Sequence, residues 1–343
     1  MAVYCFVLSC FCVYLFLQYA GYRLNSSFLV VLLAVISGFR YMVGIDYPHY
    51  VDGYIYPDSI LYEPIWYQLN DGLKSLGLSY QAFFLTTSIA IVSITHYAIK
   101  KYDCDKRYIL IALFLFFATN LYIESMNLVR QYAAMSVTFL AFAYRLDKSF
   151  LKYILLMVLA VSMHSSAIIC LVVYELCLIK YPKLLLLGAL VVSLVCGELL
   201  IGYFLDFLIG HVDSTFTYFS YLSNKSYLVT SSGLYKIILN LLAVFFIITR
   251  RSYYSNDLKY SSIYNLVLVS IILYNIFLYF DVGIRLSKYF YYFIIVLYPY
   301  HLRNCREREF IINSIFIVVL LSFTLMDVSG SQYTPFLFNF ELF

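Results

Sequence analysis

Long apolar segments alternate with short polar loops along the whole chain. A helix needs about 20 apolar residues to cross the hydrocarbon core of a bilayer. The segments that come near this length are residues 2–20, 28–45, 80–99, 108–123, 126–144, 184–208, 234–250, 261–280, 286–300 and 310–327. A further apolar stretch, residues 151–180, is interrupted by His164-Ser165-Ser166, and we interpret it as either two short spans or a re-entrant pair. The pattern predicts an all-α, polytopic integral membrane protein.

The positions of Lys and Arg predict how these spans are oriented. Short cytoplasmic loops carry an excess of basic residues. The basic clusters are Arg23, Lys100/Lys101/Lys106/Arg107, Arg145/Lys148/Lys152, Lys180/Lys183, Arg250/Arg251/Lys259 and Arg303/Arg306/Arg308. Counting residues 151–180 as two spans places every cluster on one side, whereas a single span would move the later clusters outside. We therefore predict about 12 spans, with both termini outside and 16 of the 23 basic residues inside.

Composition agrees with a membrane protein and excludes several other classes. The 343 residues are 63% hydrophobic and only 12% charged, whereas a soluble domain carries roughly a quarter charged residues. We predict a single transmembrane domain over residues 1–343, with outer loops at about 46–80 and 210–233. No basic run is long enough for a nucleic-acid module. The eight Cys residues have no metal-ligand spacing, so we expect neither a metal site nor a disulfide framework.

Several charged residues depart from the apolar pattern because they lie at the outer ends of predicted spans. They are Arg40 inside the second span, Arg130 at the start of the fifth, Arg285 at the start of the eleventh, His164 at the interruption, and Asp46 six residues beyond Arg40. An Arg within the membrane is costly and usually faces a water-filled cavity or a partner. A guanidinium stays charged and binds phosphate through a planar fork. These residues are therefore candidates for an outer site that binds an anionic, membrane-borne substrate.

Each candidate also has a structural explanation. Arg285 at a helix end can extend its charged group towards the interface. Arg130 can do the same, although Asn127 and Gln131 beside it favour a polar face that points into the bundle. A lone His such as His164 is more often a structural residue than a catalyst, and a lone Asp is often an ordinary loop residue. The predicted topology allows one shared site without requiring it.

Five motifs carry a resemblance to a known family. They are residues 39–50 with an R…vG.Dy..Y pattern, Glu63-Pro64, residues 127–134 with n..Rq..A, residues 163–167 with fH.sA, and residues 285–290 with R…YF. In this order, and over roughly residues 30–300, they resemble the EpsG-like proteins, which are Wzy-type polymerases of O-antigen, capsule or exopolysaccharide. The resemblance implies a helical fold similar to the glycosyltransferase C fold. The outer loops are particular to this chain, so the sugars and the linkage do not follow from it.

The resemblance also implies a reaction and a location. The growing glycan on undecaprenyl pyrophosphate moves onto the non-reducing end of one lipid-linked repeat unit, and undecaprenyl pyrophosphate leaves. The active site faces outward from the bacterial inner membrane. The expected partners are the lipid-linked glycan donor and acceptor, the membrane lipid and, as a further candidate, a chain-length regulator. We expect no cofactor and no nucleotide, because the donor is already activated.

This chemistry gives each candidate residue an expected role. Pyrophosphate binding by preorganised positive charge, without a metal, is expected of Arg40, Arg130 and Arg285. The attacking hydroxyl needs a base, for which His164 is the first candidate and Asp46 the second. The residues expected to support the site are Asn127, Gln131 and Glu63.

Other functions stay open on the sequence alone. A flippase or transporter of the same lipid-linked sugars would also suit an Arg-lined cavity, but such proteins normally have internal repeats and helices broken near mid-membrane, and neither is clear here. An O-antigen ligase would use similar chemistry with a different acceptor. A membrane O-acetyltransferase would use a His as base. A purely structural subunit would explain the apolar spans but not the ordered motifs.

Overall fold

The computed structural model of the protein describes residues 1–22, 24–57, 63–102, 106–211, 233–250, 257–278, 280–303, 306–330 and 333–343. Nearly all the regular structure in these ranges is helical, with one antiparallel pair of two-residue strands. The predicted all-α fold is therefore confirmed. The chain forms two compact units, one of Met1–Leu171 with Tyr298–Phe343 and the other of Val172–Leu297.

The first unit is built around a buried helix, α8 (Val129–Leu146). Its elements are α1 (Ala2–Tyr19), α2 (Ser27–Gly38), β1 (Arg40–Tyr41), α3 (Tyr47–Ile55), α4 (Pro64–Ser75), α5 (Tyr80–Lys101), α6 (Lys106–Ala118), α7 (Leu121–Ser125), α8 (Val129–Leu146), α9 (Phe150–Met163), a 3-10 helix (Ser165–Ile168), the start of α10 (Ile169–Cys177), the end of α15 (Ile294–Leu302), α16 (Glu307–Ser329) and β2 (Leu337–Phe338). Helix α8 is buried from Gln131 to Ala143 and contacts α5 and α9. Its small residues allow close helix contacts of the kind found in membrane bundles.

The second unit contains α11 (Lys183–His211), α12 (Gly233–Thr249), α13 (Leu258–Ile276) and α14 (Asp281–Tyr291). A buried polar group links three of these helices. The amides of Asn240 and Asn275 donate to each other at 2.8 and 2.9 Å, and Asn275 Nδ2 also lies 3.0 Å from Ser193 Oγ. Polar side chains that bond across helices stabilise bundles in lipid, where no water is available.

Exposed apolar side chains identify the lipid-facing surfaces. Helix α16 exposes Ile315 and Val318, and α9 exposes Leu151 and Leu155. Within the described ranges, α1, α5 and α16 are long and apolar enough to cross a bilayer. These features are those of a membrane-embedded protein. The count of 12 spans and the similarity to the glycosyltransferase C fold stay predictions.

Basic residues cluster at one end of the first unit. Lys101, the last residue of α5, forms an ion pair with Asp147, which follows α8. The ammonium groups of Lys101 and Lys152 lie 4.8 and 5.2 Å from the centre of the Tyr144 ring. Helices α5 and α8 therefore both end at this basic face and begin at the opposite one.

The predicted span 28–45 is wrong at its outer end. Helix α2 stops at Gly38, so Arg40 lies just beyond the helix and not inside it. A Cβ on Gly38 would lie 2.7 Å from Leu85 Cδ1, which shows how closely α2 approaches α5 at this point. The backbone that follows forms β1, so its hydrogen bonds go to a strand and not to a further helical turn.

Other boundaries also differ from the predicted ones. The predicted interruption of residues 151–180 is present, since α9 ends at Met163 and a 3-10 helix precedes α10. The predicted span 108–123 is divided because Asn120 adopts a left-handed conformation, φ +66°, between α6 and α7. The predicted span 286–300 is divided between α14, which ends at Tyr291, and α15, which begins at Ile294. Predicted features that lie outside the described residues are Arg23, Arg251 and nearly all of the outer loop 210–233.

We expect the two faces of the first unit to lie on opposite sides of the membrane. The turn at Lys148, between α8 and α9, belongs to the basic face and should be cytoplasmic. The turn at Gly77, between α4 and α5, should be external. Epitope tags inserted at the two turns and probed in intact and permeabilised cells would check this. Equal accessibility of both tags would contradict the orientation.

Candidate functional site

Arg40 is buried, with 1% of its surface exposed. Its Nη1 donates to the Ser37 carbonyl at 2.5 Å and its Nη2 to the Met126 carbonyl at 2.9 Å. The guanidinium carbon lies 4.5 Å from the centre of the Phe84 ring. Arg40 thus joins the end of α2 to the turn before α8. These are the contacts of a residue that positions a loop, and its role in binding pyrophosphate stays a prediction.

The loop after Arg40 lies directly against Asn127. The Asp46 amide donates to Asn127 Oδ1 at 2.9 Å. Gly44 has φ +99°, and a Cβ there would lie 3.1 Å from the same oxygen. A larger residue at position 44 would be strained in this conformation and crowded by Asn127. The first and third motifs therefore pack closely against each other.

The Glu63 carboxylate connects two further motifs. Its Oε2 accepts a hydrogen bond from Arg130 Nη1 at 2.5 Å, and its Oε1 lies 3.0 Å from His164 Nδ1. The three side chains are partly buried, with 19–25% of their surfaces exposed. Glu63 precedes α4, Arg130 is in the first turn of α8, and His164 follows α9. Four predicted motifs therefore meet at the face where α5 and α8 begin, opposite the basic face.

Opposing effects act on the Glu63 pKa. Burial raises it, but the hydrogen bond from His164 and the positive charge of Arg130 outweigh burial and lower the pKa to about 2. The carboxylate is therefore ionised at neutral pH and can only accept hydrogen bonds. When the imidazole is neutral, its proton must then lie on Nδ1.

This tautomer leaves a lone pair on His164 Nε2, the nitrogen that a general base uses. Within the described part of the chain, Nε2 has no hydrogen-bond partner. The carboxylate also stabilises the imidazolium that forms when Nε2 takes a proton. Glu63, which we expected to support the site, thus sets both the tautomer and the electrostatics of His164.

Helix α4 also fixes the backbone next to His164. The indole N–H of Trp66 donates to the Met163 carbonyl at 2.8 Å. Trp66 is buried and makes an edge-to-face contact with Phe83, with ring centroids 5.9 Å apart. His164 has an extended backbone that ends α9. The start of α4 therefore holds His164 by its side chain and by the preceding carbonyl.

Two other predicted residues lie near this group. The Tyr50 hydroxyl hydrogen-bonds Arg130, and Asp46 is close enough to Tyr50 to interact electrostatically with it. Asp46 therefore shares the surroundings of Arg130. Gln131 is buried in α8, with 5% of its surface exposed.

A family model for the EpsG family matches residues 26–341, nearly the whole chain. The chain belongs to the EpsG family. This is a family of Wzy-like polysaccharide polymerases, so the protein has a polysaccharide-polymerase type of role in a membrane. No curated protein and no solved structure matches the chain significantly.

Arg285 of this EpsG-family protein lies in the second unit. It is half-buried on α14 and shares a helix face with Lys288, three residues further on. Ile284, Ser287 and Tyr291 on the neighbouring face are buried. The predicted contribution of Arg285 to pyrophosphate binding stays a prediction.

The described residues of the EpsG-family protein contain no group of three His, Cys, Asp or Glu side chains that could hold a metal ion. The charged groups Arg130 and Glu63 form an ion pair with each other. The metal-independent reaction stays a prediction, and a chelator tests it directly.

Sequence reasoning missed several residues that build this site in the EpsG-family protein. Trp66 lies three residues after Glu63 and is the only Trp in the chain, a signal that was available. Gln81 is polar at the start of an apolar span, and its Nε2 donates to the carbonyls of Gly38 and Arg40 at 2.6 and 3.2 Å. Tyr50 falls within the first motif, where its hydroxyl was given no role.

Proposed function

We propose that this EpsG-family protein polymerises undecaprenyl-pyrophosphate-linked repeat units on the outer face of the bacterial inner membrane. The observation that carries the proposal is the Glu63 carboxylate bonded to both His164 and Arg130. This arrangement pairs a base of defined tautomer with a fixed cation. Transfer of a glycan from a pyrophosphate carrier to a hydroxyl needs both groups.

The reaction proceeds by displacement at the anomeric carbon of the growing glycan. A hydroxyl at the non-reducing end of the acceptor repeat unit gives its proton to His164 Nε2, and its oxygen bonds to the anomeric carbon. The bond from that carbon to the pyrophosphate oxygen breaks, and the electron pair leaves with undecaprenyl pyrophosphate. Glu63 stabilises the imidazolium during this step. Asp46, close to Tyr50 and Arg130, is the second candidate for the base.

The positive charges act on the leaving group. Arg130 directs one terminal nitrogen at Glu63 and also bonds the Tyr50 hydroxyl. These contacts fix its planar guanidinium, and we assign the charge of that group to the pyrophosphate. Arg285, on α14 of the second unit, stays a predicted pyrophosphate-binding residue. The charge that develops as the glycosidic bond breaks is then met by groups that are already in position, without a metal ion.

The charge distribution supports an outward-facing site. Lys101 and Lys152 mark one face of the first unit, while Glu63, Arg130 and His164 lie at the other ends of the same helices. Basic loops usually stay in the cytoplasm. The candidate site then faces the side on which completed lipid-linked repeats are exposed.

A deletion strain and purified protein test the proposal together. We expect the strain to lose the polymer ladder while single lipid-linked repeats accumulate on the outer face. The protein in proteoliposomes should extend lipid-linked repeats and keep its activity in a divalent-metal chelator. Repeats retained on the cytoplasmic face would indicate a flippase, and normal polymer without attachment to its final acceptor would indicate a ligase. Loss of activity in the chelator would contradict the metal-free mechanism alone.

Glu63→Gln should lower kcat by roughly 10- to 100-fold, the loss typical when the hydrogen-bond partner that orients a metal-ligating His is changed. The amide keeps the shape of the side chain, but it can donate to Nδ1 and so permit the wrong tautomer. It also removes the charge that stabilises the imidazolium. Steady-state rates with lipid-linked repeats measure this change.

Asp71→Asn is the matched control, because Asp71 is an exposed carboxylate on the same helix, α4. It should leave kcat unchanged. Equal losses in both variants would mean that α4 tolerates no loss of charge, and an unchanged rate in Glu63→Gln would remove Glu63 from the mechanism.

A further inference from the structure

We propose that residues 333–343, here called the strap, are a positioning element of this site. The strap holds the loop of residues 39–46 so that Arg40 and Asp46 keep their places beside the start of α8. Its expected effect on catalysis rests on the proposed function, but its effect on the loop can be measured separately. None of the five sequence motifs includes these residues.

The strap pairs with the loop through its backbone. In the antiparallel pair β1–β2, Arg40 is opposite Phe338 and Tyr41 is opposite Leu337. The next strap residue, Asn339, donates its N–H to the Phe39 carbonyl at 2.9 Å. Three successive loop residues, from Phe39 to Tyr41, are thus opposite the strap in this pairing. Such a short strand pair is not stable alone, so other contacts must hold the strap.

One set of these contacts lies at the start of α5. The Ser79 amide donates to the Leu342 carbonyl at 2.7 Å, and the Ser79 hydroxyl donates to the Glu341 carbonyl at 2.6 Å. The Asn339 side-chain amide donates to the Tyr80 hydroxyl oxygen at 3.2 Å. The strap is therefore attached to the helix whose Gln81 bonds the Arg40 carbonyl.

Aromatic side chains fix the strap at two further places. The Tyr4 hydroxyl of α1 donates to the Tyr333 carbonyl at 2.9 Å, and Tyr333 is buried. Tyr4 also meets Phe336 edge to face, with centroids 5.5 Å apart. Phe340 lies 4.9 Å from Phe39, centroid to centroid. Contacts from Tyr333 to Leu342 indicate a fixed brace and not a lid that opens.

The path from the strap to the reacting groups is short. The strap pairs with the backbone at Arg40, and the Arg40 side chain donates a hydrogen bond to the Met126 carbonyl. The side-chain oxygen of Asn127, the next residue, accepts a hydrogen bond from the Asp46 backbone N–H. Arg130, three residues later, bonds Glu63. A displaced strap therefore shifts the groups that position the cation and the orienting carboxylate.

Asn339→Pro tests the brace, because Pro removes the N–H that bonds Phe39. We expect kcat to fall roughly 10- to 100-fold, as when catalytic groups are misplaced by about 1 Å, with a much smaller change in KM. Amide hydrogen exchange in residues 39–46 should become faster. Phe343→Ala is the matched control in the same segment, since Phe343 is 90% exposed, and it should match the wild type in both measurements.

A disulfide distinguishes positioning from general stability. Tyr41→Cys with Leu337→Cys, added to Asn339→Pro, introduces a bond between opposed residues whose spacing suits a disulfide. Oxidation should restore kcat and slow exchange in residues 39–46, and reduction should reverse both. The same Cys pair with Asn339 intact should stay active when oxidised, because a brace does not need to open.

Each outcome has a separate meaning. Wild-type exchange rates in Asn339→Pro, or loss of activity on oxidation of the Cys pair alone, would overturn the brace. Faster hydrogen exchange in Asn339→Pro, together with a wild-type protein that makes no polymer, would uphold the brace and contradict the proposed function. A lower melting temperature with unchanged kcat in Asn339→Pro would mean that the strap stabilises the fold and does not position the site.

Discussion

His164→Ala is expected to stop elongation while lipid-linked single repeats still reach the outer face and accumulate there. The reason is that Nε2 is the base of the proposed reaction and Glu63 holds it in the reactive tautomer. Loss of a general base typically costs on the order of 100- to 10,000-fold in rate. The lipid-linked products of the mutant strain and the turnover of purified protein would measure the effect.

His49→Ala is the matched control, since His49 is an exposed imidazole on α3, close to Tyr50. It should keep near-normal chain length. Added imidazole should partly restore the His164→Ala protein, which a folding defect would not allow. Near-normal polymer in His164→Ala would remove His164 as the base and make Asp46 the next candidate.

Arg130→Lys is expected to fail to restore polymerisation even though it keeps the charge. Lys can pair with Glu63 but has no planar fork for the pyrophosphate. Arg130→Ala should lose about 100- to 1,000-fold in kcat, the usual cost of removing one group that stabilises developing negative charge. Protein level, membrane insertion and kcat should be measured together, because loss of the protein would indicate a folding role.

Arg308→Lys provides the control for this substitution, since Arg308 is exposed at the start of α16, in the basic cluster predicted to be cytoplasmic. It should behave as the wild type. Full activity of Arg130→Lys would mean that Arg130 acts only as a charge, either towards Glu63 or towards the interface.

The sequence located most of the residues of the first unit's site but not their connections. Arg130 and His164 are informative because charged and titratable residues are costly near apolar spans. The partner that joins them, Glu63, is 101 residues from His164, so no local pattern indicates the contact. The depressed pKa of Glu63 also depends on that contact, and only the folded chain reveals it.

Helix boundaries were harder to predict where tertiary contacts override hydropathy. Residues 39–45 are apolar enough to continue α2, yet their backbone bonds go to the strap and to Gln81. The strap itself has alternating aromatic residues at positions 336, 338 and 340, a pattern typical of a strand. Two-residue strands carry too little of that pattern to be recognised without their partner.

The position of Trp66 makes the site optically observable. It is the only Trp in the chain, and its indole N–H is bonded to the carbonyl that precedes His164. Excitation at the red edge of the indole band avoids the Tyr residues, so the emission of the unlabelled protein comes from one residue beside the proposed base. Titration with lipid-linked repeats can then be followed by fluorescence in detergent or liposomes, before any glycosidic bond is formed.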